Sequence, residues 1–252
     1  MPMATDAGHA GRANEDFAGA VPAGLVLVDG AGGIAGAEAV CRHGVRWYAT
    51  RLGGALLGAL ADDRSLRDVL AESIERVTGE HRGTCDTASP ISPYAAVAML
   101  RFTEGFVEHL VLGDAVAVIG RAGAEPLVAH DPREVVIARS VEARMRSHPE
   151  DRRRLLGELR ALRNSPGGYW VAKDDPRAAD EAITGGCPTG DVTTTALLSN
   201  GASRIVDTFG LTDWAGLLHL LDTEGPAEII RRVREAEARD GVATDDATII
   251  CR

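Results

Sequence analysis

No run of apolar residues in this 252-residue chain approaches the ~20 needed to cross a bilayer, and its opening stretch, MPMATDAGHAGRANED, has no apolar core of the kind a secretory signal carries. A soluble, cytoplasmic protein with no membrane partner is expected. Positive charge is also in deficit: the net charge is -10 at pH 7, which disfavours nucleic acid as a partner because phosphate backbones are held by clustered Lys and Arg. The one Arg-rich stretch, Arg144 to Arg163, includes Glu150, Asp151 and Glu158 and reads as a solvated helix face. Cysteine is confined to Cys41, Cys85, Cys187 and Cys251, which lie far apart and show no CxxC or CxxxxxR pattern. Read as lacking Cys/His spacing too, they suggest neither a zinc site nor a disulfide framework, but free thiols in a reducing compartment. Internal repeats and low-complexity segments are absent beyond an Ala, Gly and Arg bias.

At 45% hydrophobic residues the chain can bury a sizeable core, and residues 1–252 are expected to form one domain. Its most informative stretch is Leu25 to Gly33, LVLVDGAGG. Four consecutive apolar residues predict a strand buried on both faces, and Gly30, Gly32 and Gly33 predict a turn that holds Asp29 at the lip of the core. Residues 1–13 are expected to fray. Gly36 to Ala61 reads as a helix with Val40, Val45, Tyr48, Leu52, Leu56 and Leu60 on one stripe, although Gly53, Gly54 and Gly58 weaken it unless close packing requires them. Ser65 and Asp68 form a capping box for a second helix. Ala95 to Gly120 reads as an antiparallel meander, with His109 as a sheet-face residue.

From Ala129 to Asp180 the pattern is two polar helices, a turn at Asn164–Gly168 and a short strand at Tyr169–Val171, whose aromatics are expected to anchor the segment. A strand over Thr193–Ser199 runs into a turn at Asn200-Gly201. Helices at Thr212–Leu221 and Pro226–Arg239 follow, and a last strand spans Ala247–Cys251. Helices alternating with groups of antiparallel strands predict an α+β fold.

Acidic residues gather at the strand boundaries: Asn14-Glu15-Asp16, Asp29, Gly113-Asp114 and Asp245-Asp246. If these turns converge without interleaved Lys or Arg, the carboxylates repel one another unless a hard divalent cation sits among them.

The ordered set NED (Asn14 to Asp16), VDGAGG (Val28 to Gly33), LGDAVAVI (Leu112 to Ile119), LLSNGASR (Leu197 to Arg204) and DDATII (Asp245 to Ile250) resembles the metal-dependent protein phosphatases of the PPM, or type 2C, family in its bacterial form. Each motif alone is weak, but five in order form a joint signal. The resemblance implies a four-layer αββα sandwich of two antiparallel sheets flanked by helices, with residues 129–180 as a variable flap. It also implies hydrolysis of phosphate monoesters by a water activated on two Mn2+ or Mg2+ ions, with a third, weaker ion in some relatives. Carried over by motif, Asp16, Asp29 and Asp245 are direct ligands, Gly30 offers its carbonyl, Glu15 holds metal-bound water and Asp114 marks the additional ion. Arg12 stands for the arginine that binds substrate phosphate, at a spacing to Glu15 shorter than in some relatives.

Two departures stand out. Ala31 replaces a histidine of some members, and Asn200 stands in Ser199-Asn200-Gly201 where the family has Ser-Asp-Gly, which removes one negative charge. The expected substrate is phosphoserine or phosphothreonine in a phosphorylated protein. The alternatives are a small phosphorylated metabolite, or binding without turnover in a pseudophosphatase weakened at Asn200.

Overall fold

The computed structural model describes residues 1–32, 36–81 and 83–252; Gly33, read above as part of the glycine turn, lies outside the described residues. The chain begins with β1 (Met3–Asp6), β2 (Phe17–Val21) and β3 (Gly24–Ala31), then α1 (Gly44–Ala59) and α2 (Leu66–His81). Four strands follow, β4 (Tyr94–Thr103), β5 (Phe106–Leu112), β6 (Val116–Arg121) and β7 (Ala124–His130), and then α3 (Arg133–Ser147) and α4 (Arg152–Ala161). The remainder is β8 (Ile183–Pro188), β9 (Val192–Leu198), α5 (Asn200–Asp207), α6 (Trp214–Thr223), α7 (Pro226–Asp240) and β10 (Ala247–Cys251).

The strands form two five-stranded antiparallel sheets, ordered β2-β3-β4-β5-β8 and β1-β10-β9-β6-β7. The period-2 alternation of β3 shows how the layers assemble. Leu25 and Leu27 enter the core between the sheets with Ala98, Leu100, Ala117, Ile119, Leu197 and Ile250. Val26 and Val28 face outward, under Tyr48, Leu52 and Leu56 of α1 and Val69, Leu70 and Ile74 of α2. The second sheet is covered by Ile205 of α5, Leu217 of α6 and Ile229 and Val233 of α7. The architecture is therefore an α+β sandwich with helices on both outer faces, as expected. No helix of the described residues is long and apolar enough to cross a membrane.

Several local expectations are corrected. Residues 3–6 do not fray, because they pair with β10 from Met3 opposite Ile250 to Asp6 opposite Ala247. The helix expected from Gly36 starts at Gly44, since Gly36 (φ 92°) and Gly44 (φ 78°) hold left-handed backbone that breaks a continuous right-handed helix, leaving Gly44 only as the first residue of α1. Within α1, Gly53 is required: a Cβ there would lie 2.0 Å from Cδ1 of the Phe17 ring, whereas Gly54 and Gly58 face open space. The meander holds only for β4 and β5; β6 leaves for the other sheet through Gly113 (φ 78°) and Asp114.

Ser65 caps α2 as expected, accepting from the Asp68 amide at 3.2 Å and donating to its carboxylate at 2.6 Å. His109 is a buried sheet residue opposite Leu100 and Gly185. Tyr169–Val171 is not a strand: among the described residues its neighbourhood makes single bridges, Arg163 to Tyr169 and Ala95 to Ala172. The anchoring role of its aromatics stands, with Tyr169 buried and Trp170 packed on the core under α1 and α2.

The expectation that the cysteines have no histidine partners is also overturned. Cys41 and His43 precede α1, His81 ends α2 and Cys85 lies one turn beyond, and their ligand atoms all lie within 4.8 Å of one another. The spacings Cys41-x-His43 and His81-x3-Cys85 are present in the chain, but only the packing of α1 on α2 brings the two halves together.

Candidate active site

β3 runs three residues beyond Val28, into the expected turn, so Asp29 and Gly30 are strand residues opposite Ala96 and Ala95. Ala95 commits its own N–H and C=O to Ala172, each at 2.9 Å. Gly30 is thus a non-hydrogen-bonded pair position, and its carbonyl points away from β4. Gly30 must lack a side chain because a Cβ would lie 2.5 Å from the Glu15 carbonyl oxygen. That close approach seats the Glu15-Asp16 segment, which leads into β2, against the end of β3.

The crossing of β6 to the second sheet places Asp114 at the same end of the sandwich. Asn200 and Gly201, expected as a turn, are instead the first residues of α5, with Ser199 as N-cap residue. The unpaired amides of a helix start suit an anion. The Asn200 N–H donates to Asp29 Oδ2 at 2.8 Å, and its side-chain amide donates to Asp114 Oδ2 at 2.7 Å. Gly201 lets the backbone before β10 pass, since a Cβ there would lie 2.0 Å from the Asp246 carbonyl oxygen.

A cavity of about 170 Å³ results, lined by Asp29, Gly30, Asp114, Glu134, Asn200 and Asp245 together with Ala31, Tyr94, Ala96 and Val171. Five of the eight expected site residues line it. Asp16 is outside the lining but near enough for its charge to act on Asp29, and Glu15 is half-buried, with the charges of Asp246 and Asp245 acting on it. Arg12 is exposed and outside the lining; its charge reaches Glu15 and favours that residue's ionised form.

The electrostatics are those of crowded anions. Burial, then the charges of Asp16 and Asp114, push the Asp29 carboxyl well above the usual range, against the pull of the Asn200 amide. Burial raises Asp16 to about 6, offset in part by the Ser199 and Thr248 hydroxyls, which approach its carboxylate without reaching hydrogen-bonding geometry. Among the described residues neither carboxylate oxygen of Asp16 has a hydrogen-bond partner. Burial also raises Asp114, with Asn200 opposing. An unpaired buried carboxylate costs several kcal/mol, and oxygen-rich anionic pockets are what hard divalent cations take as ligands. The residues present therefore fit such ions.

Three participants had no role assigned from the sequence. Glu134, in the first turn of α3, is raised to about 8 by burial and by the charge of Asp114. Nothing in its sequence surroundings distinguishes it from the other acids of that polar helix. Arg204 lies in the LLSNGASR motif without an assigned role, and it donates to Asp245 Oδ2 at 3.0 Å and to buried Glu237 at 2.6 Å. The expectation of carboxylates free of basic neighbours is thus corrected for Asp245. Asp246 accepts from the Gly8 amide at 2.8 Å and the Glu15 amide at 2.6 Å, tying the N-terminal segment to the site. The Asp-Asp pair was visible in the sequence, but its division of labour was not.

No family model and no curated protein matches the sequence. Solved structures do. The chain superposes on the serine/threonine phosphatase Stp1 from Staphylococcus aureus with 16% identity and a TM-score of 0.60, over 99% of this chain and 92% of that one. It matches the serine/threonine phosphatase PstP/Ppp of Mycobacterium tuberculosis with 18% identity and a TM-score of 0.57, over 99% and 96%.

The chain has the PPM phosphatase fold. A third likeness, to the catalytic domain of the serine/threonine protein phosphatase PstP in complex with two manganese ions, has 17% identity and a TM-score of 0.58, over 99% and 95%. The PPM-fold phosphatase MsPP from Mycobacterium smegmatis, in complex with cacodylate, is similar at 19% identity and a TM-score of 0.54, over 99% and 95%. In the PPM fold of this chain the acidic cavity opens at one end of the sandwich, where β3, β6, α5 and the segment before β10 meet.

Proposed function

We propose that the protein is a metal-dependent phosphatase that hydrolyses phosphate monoesters, with phosphoserine or phosphothreonine in proteins as its substrate. The observation that carries this reading is the cavity bounded by Asp29, Asp114 and Asp245, with the Asp16 carboxylate, without a hydrogen-bond partner among the described residues, acting on Asp29, in a chain whose fold is shared with serine/threonine phosphatases. In this proposal residues 1–252 act as one catalytic domain, with residues 129–180 as a flap beside the site, in a reducing, cytoplasmic setting.

Asp16, Asp29 and Asp245 would hold two divalent cations, Mn2+ or Mg2+, with the Gly30 carbonyl, while Glu15 would hold metal-bound water and Asp114 would take a further, weaker ion. When bound, such ions acidify water and neutralise phosphoryl charge. Asn200 steadies Asp29 and Asp114 through two donated hydrogen bonds, and its amide oxygen remains available as a neutral ligand. Arg204 holds Asp245 in place through one oxygen. Arg12 is free to reach a phosphate near Glu15.

The reading is tested by hydrolysis of a chromogenic phosphate monoester with Mn2+, with Mg2+ and with chelator. Turnover that requires a divalent ion and vanishes in Asp29→Asn is expected; ion-independent turnover, or none with either ion, sinks it. Preference for phosphopeptides over small phosphorylated metabolites in competition separates the two substrate classes.

A further inference from the structure

Away from the acidic cavity, the structure assigns a second metal site: Cys41, His43, His81 and Cys85 form a closed Cys2His2 set for a zinc-class cation that pins the segment before α1 to the end of α2. The four ligand atoms lie within 4.8 Å of one another. A tetrahedral zinc with sulfur ligands at ~2.3 Å and nitrogen ligands at ~2.0 Å needs only a small contraction of this cluster.

The donor chemistry differs from that of the acidic site. Two thiolates neutralise a divalent ion and, with two imidazoles, suit zinc rather than the oxygen-seeking Mn2+ or Mg2+. None of the four lines the acidic cavity. Four protein ligands leave no open position, which marks a structural site, not a catalytic one.

Independent observations support a ligand here. His81 is 3% exposed, and among the described residues neither of its ring nitrogens has a hydrogen-bond partner. Buried imidazole nitrogens without partners are uncommon, and a coordinated ion satisfies one directly. Trp47 stacks on both imidazoles, at 4.4 Å from His43 and 5.1 Å from His81, and so restrains their rings. Cys85 Sγ already sits 3.2 Å from His43 Nδ1.

The backbone prepares the cluster as well. The Asp86 N–H donates to the Val40 carbonyl at 2.8 Å, joining the two half-sites beside their ligands. The amides of Thr84 and Cys85 both donate to the His81 carbonyl at 3.2 Å, closing the turn that returns Cys85 to the cluster. A Cys41–Cys85 disulfide is the competing chemistry, but it would leave both His81 nitrogens without partners.

The test is metal analysis of the full chain purified under reducing conditions without chelator. One zinc per chain, retained through dialysis against Mn2+, is expected. Replacement by Co2+ should give the intense visible bands and the thiolate charge-transfer absorption of a tetrahedral S2N2 centre. Cys85→Ser and His81→Ala should each lose the zinc and lower the melting temperature. Asp29→Asn and Asp245→Asn should keep it, which separates this site from the acidic one. Wild-type protein that holds no zinc and gives no tetrahedral cobalt spectrum on titration overturns the assignment even if the variants fail to fold. A metal-free Cys41–Cys85 disulfide in protein purified under reducing conditions overturns it equally.

Discussion

Asn200 makes two contacts that an ionised aspartate could not make together, because its own backbone N–H donates to Asp29 while its side-chain amide donates to Asp114. Asn200→Asp therefore has opposite effects in the two states of the protein. Without metal, the new carboxylate faces Asp114 and Asp29 and the melting temperature should fall. With metal, a charge within about 4–6 Å of the cations should tighten Mn2+ binding by roughly ten-fold or more. Calorimetric titration and melts with chelator and with Mn2+ read both effects; identical affinity in the two proteins would mean that Asn200 does not face the ions. Asp29→Asn is the converse change. It removes an ionisable group whose charged form burial, Asp16 and Asp114 all disfavour, while the amide oxygen can still accept from Asn200. Metal binding should be lost and metal-free stability should hold or rise, and a lower melting temperature in chelator would contradict this account of the crowding.

At the scale of elements, α1 shows how one residue type serves two purposes in consecutive positions. Gly53→Ala drives a methyl into the Phe17 ring, 2.0 Å from Cδ1, and should cost about 1–3 kcal/mol as an overpacking change. Gly54→Ala meets nothing within 4 Å and should stabilise by up to about 1 kcal/mol through helix propensity. Denaturant melts of the two variants check the pair, and equal effects would show that Phe17 does not pack as described. The sequence identified α1 as glycine-weakened because propensity is local. Which glycine had a tertiary reason depended on β2, more than thirty residues earlier. The start of α5 was missed for a related reason: Asn-Gly is a strong turn signal, and it was outweighed by the Asp29 carboxylate and the Asp246 backbone packed against this helix start.

Across the whole molecule, the buried acids set an unusual pH dependence. Asp16, raised from the usual 3.8 to about 6, and Glu134, raised from 4.5 to about 8, bind protons more tightly in the folded than in the unfolded chain. Between those values the native state carries the extra protons, so these groups make the metal-free protein less stable as pH rises from about 4 to about 8. For Asp16 the effect is about 3 kcal/mol, at ~1.4 kcal/mol per pK unit. Metal binding should weaken as pH falls through the same window, because ions and protons compete for the same carboxylates. Saturating Mn2+ should therefore flatten or reverse the stability slope above about pH 6. Melting temperatures against pH, with chelator and with Mn2+, measure this; a metal-free melting temperature that climbs between pH 5 and 8, with no contribution to its slope removed by Asp16→Asn or Glu134→Gln, would contradict it.

What the sequence determined by itself is local in origin: the doubly buried run Leu25 to Val28, the Ser65 capping box, and the acidic residues at strand boundaries in the order that suggested a phosphatase. Each depends on neighbours a few residues apart, through period-2 burial, a helix-start hydrogen bond or a glycine beside a carboxylate. Only the tertiary structure decided that β6 leaves its sheet at Gly113, that Arg204 reaches Asp245 across 41 residues, that Glu134 faces Asp114, and that Cys41 and His43 meet His81 and Cys85. Those meetings follow from which faces pack together, and a side-chain pattern states that a face is apolar without stating which other face will cover it.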